Sequence, residues 1–525
     1  MESLLFVLLP GFYLLLGATA TATAKTTSFS EEGPSYDYSA SIECKSAPDS
    51  PLYNGGVMKD QTLGTRGHRH FKIAMNSPAL TLSNLTGDTI YAFSSWVKIS
   101  GADSAALKAT LTTDNTTFTC VGTVVARSAC WSFLKGGFSL DSPSNYAFIY
   151  FQNSDDFQLN VSVSSASLQP FTYQEWNENQ QKMITTERKR AAILHVSDVD
   201  GTRLQGASVA VEQISRDFPF GSAIAETILG NLPYQNWFVE RFNAAVFENE
   251  LKWAATEPRQ GEVNYTIPNQ MLEFTRRNQI TVRGHNIFWE DPKYTPLWVR
   301  NLPAPELKSA VSSRIQSLRL GPNASLDFFL TVQESDPLAR LFMNDFNVLE
   351  TCDDTKSTVD NYVSRLQEFG AAGVVMDGIG LEGHFSAPNP ALIHAVLDKL
   401  ALLDLPIWLT EVDISKKFDQ QMQVCQIFRG CFERSFSNPS VNGIILWSAL
   451  HPKGCYQMCL TDNTLKNLPA GDVVDALLKE WRTSAIEGKS EVHGAFGFIG
   501  FHGQYHVAVS WQQNRAHDAV SQPRR

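Results

Sequence analysis

From Pro219 to Leu446, short apolar runs alternate with helix-patterned segments, and this alternation constrains the fold more than any other feature of the chain. The runs are Phe220 to Ile224, Ala244 to Phe247, Ile280 to Ile287, Leu341 to Met343, Gly378 to Leu381, Ile407 to Leu409 and Gly443 to Leu446. Between several of them lie Pro305 to Leu318, Ser357 to Phe369 and Ala391 to Leu403, with apolar residues at three- and four-residue spacing. Such alternation predicts an α/β fold of the (β/α)8 barrel type over residues 219–483.

Most of these strands end in polar or aromatic residues that a core does not need: Glu248-Asn249, His285-Asn286, Glu382-Gly383-His384, Glu411 and Trp447. Barrel enzymes place their chemistry at the C-terminal strand ends, so these termini predict an open, sugar-sized cleft. Leu405 to Ile414 delivers Glu411 at a strand tip, where a carboxylate suits attack on an anomeric carbon. Phe247 to Trp253 offers Glu248, Asn249 and Lys252, the mixed donors and acceptors that hydroxyl-rich ligands need. Arg283 to Trp289 adds His285 to hydrogen-bond a sugar and Trp289 to stack on one.

Upstream, residues 41–174 show short alternating runs separated by Gly, Asn, Asp and Ser clusters, the pattern of an all-β sandwich, read here as a jelly roll. Its aromatics Trp96, Trp131, Phe133, Tyr146 and Tyr150 fit half-buried strands better than ligand platforms. The polar stretch 175–218 is expected as a connector, and 484–525 as a terminal hairpin, Gly494 to Tyr505, with a polar tail.

The chain opens on an apolar run from Leu4 to Leu16, then small residues to Ala24, the outline of a cleavable export leader over 1–24. Glu2 departs from that pattern, which favours a basic residue there. The run is short for a bilayer span, so no membrane attachment is expected and the location is extracellular or cell wall. Sequons at Asn84, Asn115, Asn160, Asn264 and Asn323 agree with export. A net charge of -11 disfavours nucleic acid as a partner. The eight cysteines are too sparse for a disulfide scaffold and show no metal spacing; Cys120 with Cys130, and Cys455 with Cys459, are conceivable bridges. No cofactor is expected, and the chain is expected to act as a monomer.

Together and in this order, the segments around Glu248, His285, His384, Glu411 and Trp447 resemble glycoside hydrolase family 10, the retaining endo-β-1,4-xylanases. They are most similar to the plant form with an N-terminal family 22-like carbohydrate-binding module. The resemblance spans about Ser41 to Tyr505. It implies xylan or a related β-1,4-linked wall polysaccharide as substrate and Glu411 as nucleophile, with His384 hydrogen-bonded to it. It also implies that Glu248, Asn249, Lys252, His285, Trp289 and Trp447 bind the sugar beside the scissile bond. Glu382 stands where many bacterial members have Gln, and Glu290 where many have a second His.

The same resemblance requires a general acid/base, the Glu of a Trp-Asp-Val-Val-Asn-Glu-like motif on the fourth strand, and no such motif occurs in the chain. Asn344-Asp345 mimics Asn-Glu but matches the family's fifth strand, so Asp345 is expected to be structural. Counting points the same way. A strand-helix unit takes roughly 30 residues, yet the helix Pro305 to Leu318 runs almost directly into another that begins near Asn323. The fourth strand is therefore expected to be missing near Ser317 to Gly321, with activity impaired. The alternatives are a wall-polysaccharide-binding protein without turnover and a non-functional isoform.

Overall fold

The computed structural model describes residues 5–8, 33–53, 63–64, 79–114, 118–153, 159–286, 288–289, 292–317, 340–417 and 423–511. Of the polar tail expected from His506 onward, the residues beyond Trp511 lie outside them, as do Glu290 and most of the expected junction; residues 506–510 are strand, against that expectation.

Among the described residues, seven longer strands build the N-terminal region, with the two-residue strand Leu63–Gly64 paired along the outer edge of the first: β1 (Ala79–Leu85), β2 (Thr89–Ser100), β3 (Ser104–Thr113), β4 (Phe118–Arg127), β5 (Ser132–Leu140), β6 (Ser144–Asn153) and β7 (Asn160–Thr172). They form two antiparallel sheets, one with β1, β6, β3 and β4 in that order and one with β5, β2 and β7. Leu80, Leu107, Val124 and Ile149 from the first sheet meet Phe93, Leu134 and Val163 from the second in one core. Trp96, Phe133 and Tyr150 are buried, as expected of strand aromatics, while Tyr146 stands 65% exposed.

The stretch expected as a connector is ordered. It forms α1 (Tyr173–Arg188), β8 (Lys189–His195) and β9 (Ser208–Arg216). The polarity that suggested a linker belongs to the open face of α1, which buries Trp176, Gln180 and Ile184.

The strand-helix region runs β10 (Phe220–Ile224), α2 (Leu232–Val239), β11 (Ala244–Phe247), α3 (Thr266–Arg277), β12 (Thr281–Arg283), α4 (Ala304–Ser317), β13 (Phe342–Asp345), α5 (Val359–Ala371), β14 (Gly378–Phe385), α6 (Pro390–Ala401), β15 (Ile407–Ile414), α7 (Gln423–Ser437), β16 (Val441–Leu446) and α8 (Pro469–Glu480). Among the described residues the seven strands form one curled parallel sheet in the order β12, β11, β10, β16, β15, β14, β13. The first strand thus neighbours the last, as in a barrel, and β12 and β13 end the sheet. The strands are near-continuous hydrophobic runs because both faces are covered.

The sandwich and this region belong to one compact unit. At their junction Lys135 Nζ lies 2.6 Å from Asp398 Oδ2, with both side chains almost fully buried. Tyr36 donates to the same oxygen at 2.8 Å, and Asn389 to the carbonyl of Gly137. A Cβ at Gly137 would fall 2.5 Å from that of Ala391, so glycine permits this approach. Helix α6 is buried from Pro390 through Leu400, packed against β5 and β2 of the sandwich and flanked by α5 and α7.

Cysteine pairing differs from the first of the two bridges conceived from sequence. Cys120 joins Cys352, 232 residues away and across the junction, and Cys130 joins Cys44; Cys455 and Cys459 pair within their loop. Proximity in sequence misled, because Cys120 faces the loop after β13.

The second unit, considered by itself, joins β8 and β9 to β17 (Ile486–Lys489), β18 (Ala495–Phe501) and β19 (Gly503–Ser510). The expected terminal hairpin is corrected: β18 pairs with β8, whereas β19 pairs with β9, so the two consecutive strands enter different sheets. Gly503 makes the corner, where a Cβ would fall 2.0 Å from the Ser215 carbonyl oxygen. Residues Leu5–Leu8, within the expected leader, lie along β19. Val209, Val211, Phe498, Tyr505 and Val507 form the core.

Candidate active site

Glu411 sits near the end of β15, in a cleft of about 2570 Å³ whose lining includes the ends of β11, β12, β14 and β16. Its side chain is 5% exposed. Arg283 Nη1 lies 3.6 Å from Glu411 Oε1 and His285 Nδ1 3.5 Å from the same oxygen, while His384 Nε2 faces Oε2 at 3.6 Å. Burial alone would raise the carboxyl's pKa. The histidines and Arg283 overcome it and hold Glu411 well below the usual carboxylate range, so it is ionised.

The two histidines differ. Burial pushes His285 down to about 3, leaving a neutral ring that can offer one N–H. Burial acts on His384 in the same direction, but the hydrogen bond to Asp413 and the negative charges of Asp413 and Glu411 outweigh it and carry the ring up to about 11. The contact to Asp413 is the shorter, at 2.9 Å from His384 Nδ1 to Oδ1. The expected hydrogen bond from His384 to Glu411 is therefore a longer ionic contact, and Asp413 anchors the ring.

A β-bulge shapes the neighbouring carboxylate. Along β14 and β15, Leu381 pairs with Leu409, but Glu382 pairs with Glu411, leaving Thr410 as an extra residue. Because side chains alternate along a strand, this one-residue shift puts Glu382 and Glu411 on the same face. A carboxylate oxygen from each, with a ring nitrogen of His384, all lie within 4.8 Å of one another. Asn344 on β13 donates to Glu382 Oε1 at 3.1 Å and accepts from the Thr410 hydroxyl. Burial, then repulsion from Glu411, raises the Glu382 carboxyl well above its ordinary range. Among the described residues this trio is the one grouping of His, Cys, Asp and Glu donors close enough for a metal ion. Its charged imidazole, held on Asp413, suits a hydrogen-bonded cluster instead.

The remaining expected residues gather beside this centre. Ser448 donates to Glu248 Oε2 at 3.2 Å, and Lys252 Nζ donates to Asn249 Oδ1 at 3.0 Å. Lys252 Nζ also lies 4.7 Å from the Trp289 ring centroid and 5.8 Å from that of Trp447. Trp289 stacks on Tyr294 with centroids 3.6 Å apart, and Trp447 packs edge-on to His285. All eight residues singled out from sequence thus line one cleft. Sequence reasoning gave no role to Arg283, Asn344, Asp413 or Glu350, which accepts from the His384 backbone N–H at 3.3 Å, and noted Glu382 only as a strand-end residue standing where many family members have Gln. Arg283 and Asp413 flank the recognised His285 and Glu411 by two residues each, a signal available to period-two strand reasoning. Asp345 accepts from the backbone of Phe346 and stands on β13 as expected.

A curled parallel sheet with an ionised strand-tip carboxylate, a second carboxyl beside it and indoles around both defines a glycoside hydrolase. The chain belongs to glycosyl hydrolase family 10, whose profile matches residues 210–320 and 320–465, two stretches that meet at residue 320. It is 34% identical to endo-1,4-beta-xylanase 5 of Arabidopsis thaliana over 81% of this chain and 80% of the relative. It is 32% identical to endo-1,4-beta-xylanase 4 of the same plant over 91% and 89%. Xylanase 10B from Thermotoga maritima superposes with a TM-score of 0.44 at 21% identity, covering 50% of this chain and 95% of the other.

Proposed function

We propose that this glycoside hydrolase cleaves xylan-type β-1,4 glycans with retention of configuration, Glu411 acting as nucleophile. The observation that carries this is a buried carboxylate kept ionised by the charges of Arg283 and His384 in an aromatic cleft. An ionised oxygen attacks the anomeric carbon to form a glycosyl ester, which water then hydrolyses. Glu248, Asn249, Lys252 and His285 bind the ring hydroxyls, while Trp289 and Trp447 pack on its apolar face. The sandwich acts as a carbohydrate-binding jelly roll. The apolar N-terminal run and three disulfides support an exported chain, which we take to act as a monomer.

We read the fourth strand, with the family's own proton donor, as missing from this chain. The split of the family match at residue 320 supports this, as does the position of β12 and β13 at the sheet ends among the described residues. So does the cleft itself, whose lining reaches Pro219, Thr281 and Asn442 at the N-terminal strand ends, where barrels are ordinarily filled by side chains. Loss of a general acid/base lowers rates by about 10² to 10⁴.

The test is xylan hydrolysis by the purified chain, with the anomer released followed by proton NMR. A slow release of β-anomer that disappears in Glu411→Gln is expected. Product formation that survives this substitution, or α-anomer as first product, would sink the assignment.

A further inference from the structure

The geometry points to Glu382 as a substitute proton donor and acceptor for the reaction carried by Glu411. The inference rests on the proposed role of Glu411 and adds a catalytic residue to it.

The bulge at Thr410 makes the two carboxyl groups same-face neighbours on adjacent strands. An oxygen of each lies within 4.8 Å of the other, no farther apart than the roughly 5 to 5.5 Å at which retaining hydrolases hold their two carboxyl groups. Glu382 also keeps 21% of its side chain exposed to the cleft, where Glu411 keeps 5%. A leaving oxygen and an incoming water can reach it. The charged and titratable groups that act on it are Glu411, His384, Glu350, Arg283 and Lys252. Burial, together with like charge at Glu411, keeps Glu382 protonated while Glu411 is ionised; environments that drive a pair of carboxyls to opposite protonation states distinguish acid from nucleophile. Asn344 holds one oxygen of Glu382 and is itself held by Thr410, so the carboxyl is oriented from the opposite side.

In the first step Glu411 bonds to the anomeric carbon as the glycosidic C–O bond breaks. The Glu382 proton passes to the departing oxygen, which leaves as an alcohol. In the second, the Glu382 carboxylate takes a proton from water, whose oxygen bonds to the anomeric carbon while the ester to Glu411 breaks. Both residues return to their starting states.

The experiment compares the full-length chain with Glu382→Gln and Glu411→Gln on xylan and on 2,4-dinitrophenyl β-xylobioside, with and without azide. A dinitrophenolate leaves without protonation, and azide needs no base. Glu382→Gln is expected to lose at least a hundredfold on xylan, to keep its initial dinitrophenolate burst, and to regain turnover in azide with β-xylobiosyl azide as product. The alkaline limb of its pH profile should also vanish. Xylan turnover equal to the parent's, or a burst lost together with steady-state release and not rescued by azide, overturns the role of Glu382. Xylan hydrolysis that depends on Glu411 but not on Glu382 overturns this inference alone. Release indifferent to Glu411 overturns the nucleophile assignment, and this inference with it.

Discussion

His384 is bound to Asp413 more closely than to the carboxylate it serves: 2.9 Å separates Nδ1 from Asp413 Oδ1, against 3.6 Å from Nε2 to Glu411. Asp413 is fully buried, so its charge acts on the ring with little screening. The imidazole is thereby kept cationic and turned toward Glu411, and some of the lowering of the Glu411 pKa originates one residue pair away.

Asp413→Asn should therefore raise the pKa of Glu411 by about one unit or more, a change worth about 1.4 kcal/mol per unit. The acid limb of kcat/KM on an aryl xylobioside is expected to move to higher pH, with at least a tenfold loss near its foot. An unmoved acid limb would assign His384 no electrostatic role.

Trp289 is partly exposed and lies flat on Tyr294, a ready platform for a sugar face. Trp289→Ala is expected to raise KM for xylo-oligosaccharides several-fold, from about 0.5–1.5 kcal/mol of lost stacking. It should leave the burst amplitude at saturation largely intact. A loss confined to kcat would contradict ground-state stacking.

At the junction with the sandwich, Lys135→Met strands the Asp398 carboxylate, with the Tyr36 hydroxyl as its remaining hydrogen bond. Breaking a buried pair from one side costs about 3–5 kcal/mol. Burial already lifts Asp398 to about 6, so below that pH it can take up a proton and escape some of the penalty. Denaturation midpoints should show a deficit at pH 7.5 that narrows at pH 5.

Helix α6 buries His394 against Tyr36 and Trp176, and burial pushes its pKa down to about 3. An unfolded imidazole takes a proton near 6.5. Between these values the unfolded chain holds a proton that the folded chain refuses, so this contribution to stability is complete above pH 6.5. It is lost as pH falls toward 3, by about 1.4 kcal/mol per unit. His394→Phe should lose stability less steeply between pH 6 and 4, by one proton in the slope of unfolding free energy against pH.

Replacing Cys120 and Cys352 together by Ser removes the bridge across the junction. A loss of about 2–4 kcal/mol is expected, because the crosslink constrains a long loop of the unfolded chain. Peptide mapping without reductant should recover Cys120 with Cys352, and Cys44 with Cys130.

What could be read from sequence was local. Glu411, His285 and Trp447 were recognisable because each stands at the end of an apolar run whose tip a parallel sheet turns toward its cleft. Glu382 was visible as a residue but not as a partner of Glu411, since a bulge that shifts register by one place leaves no trace in hydrophobic alternation. The bridge from Cys120 to Cys352 was hidden because it depends on how the sandwich meets the loop after β13. Polarity likewise concealed α1, whose buried face consists of only Trp176, Gln180 and Ile184. The strands β8 and β9 find their partners near the other end of the chain, beyond the reach of any local window.

The bridge from Cys120 to Cys352 makes any barrel excised at Pro219 an amputated fragment. Such a piece would carry an orphaned thiol in the loop after β13 and expose the greasy flank of α6 that the sandwich now shields. Trimming the chain to an autonomous enzymatic domain thus cuts through a single welded body, and the sandwich has to accompany the chemistry.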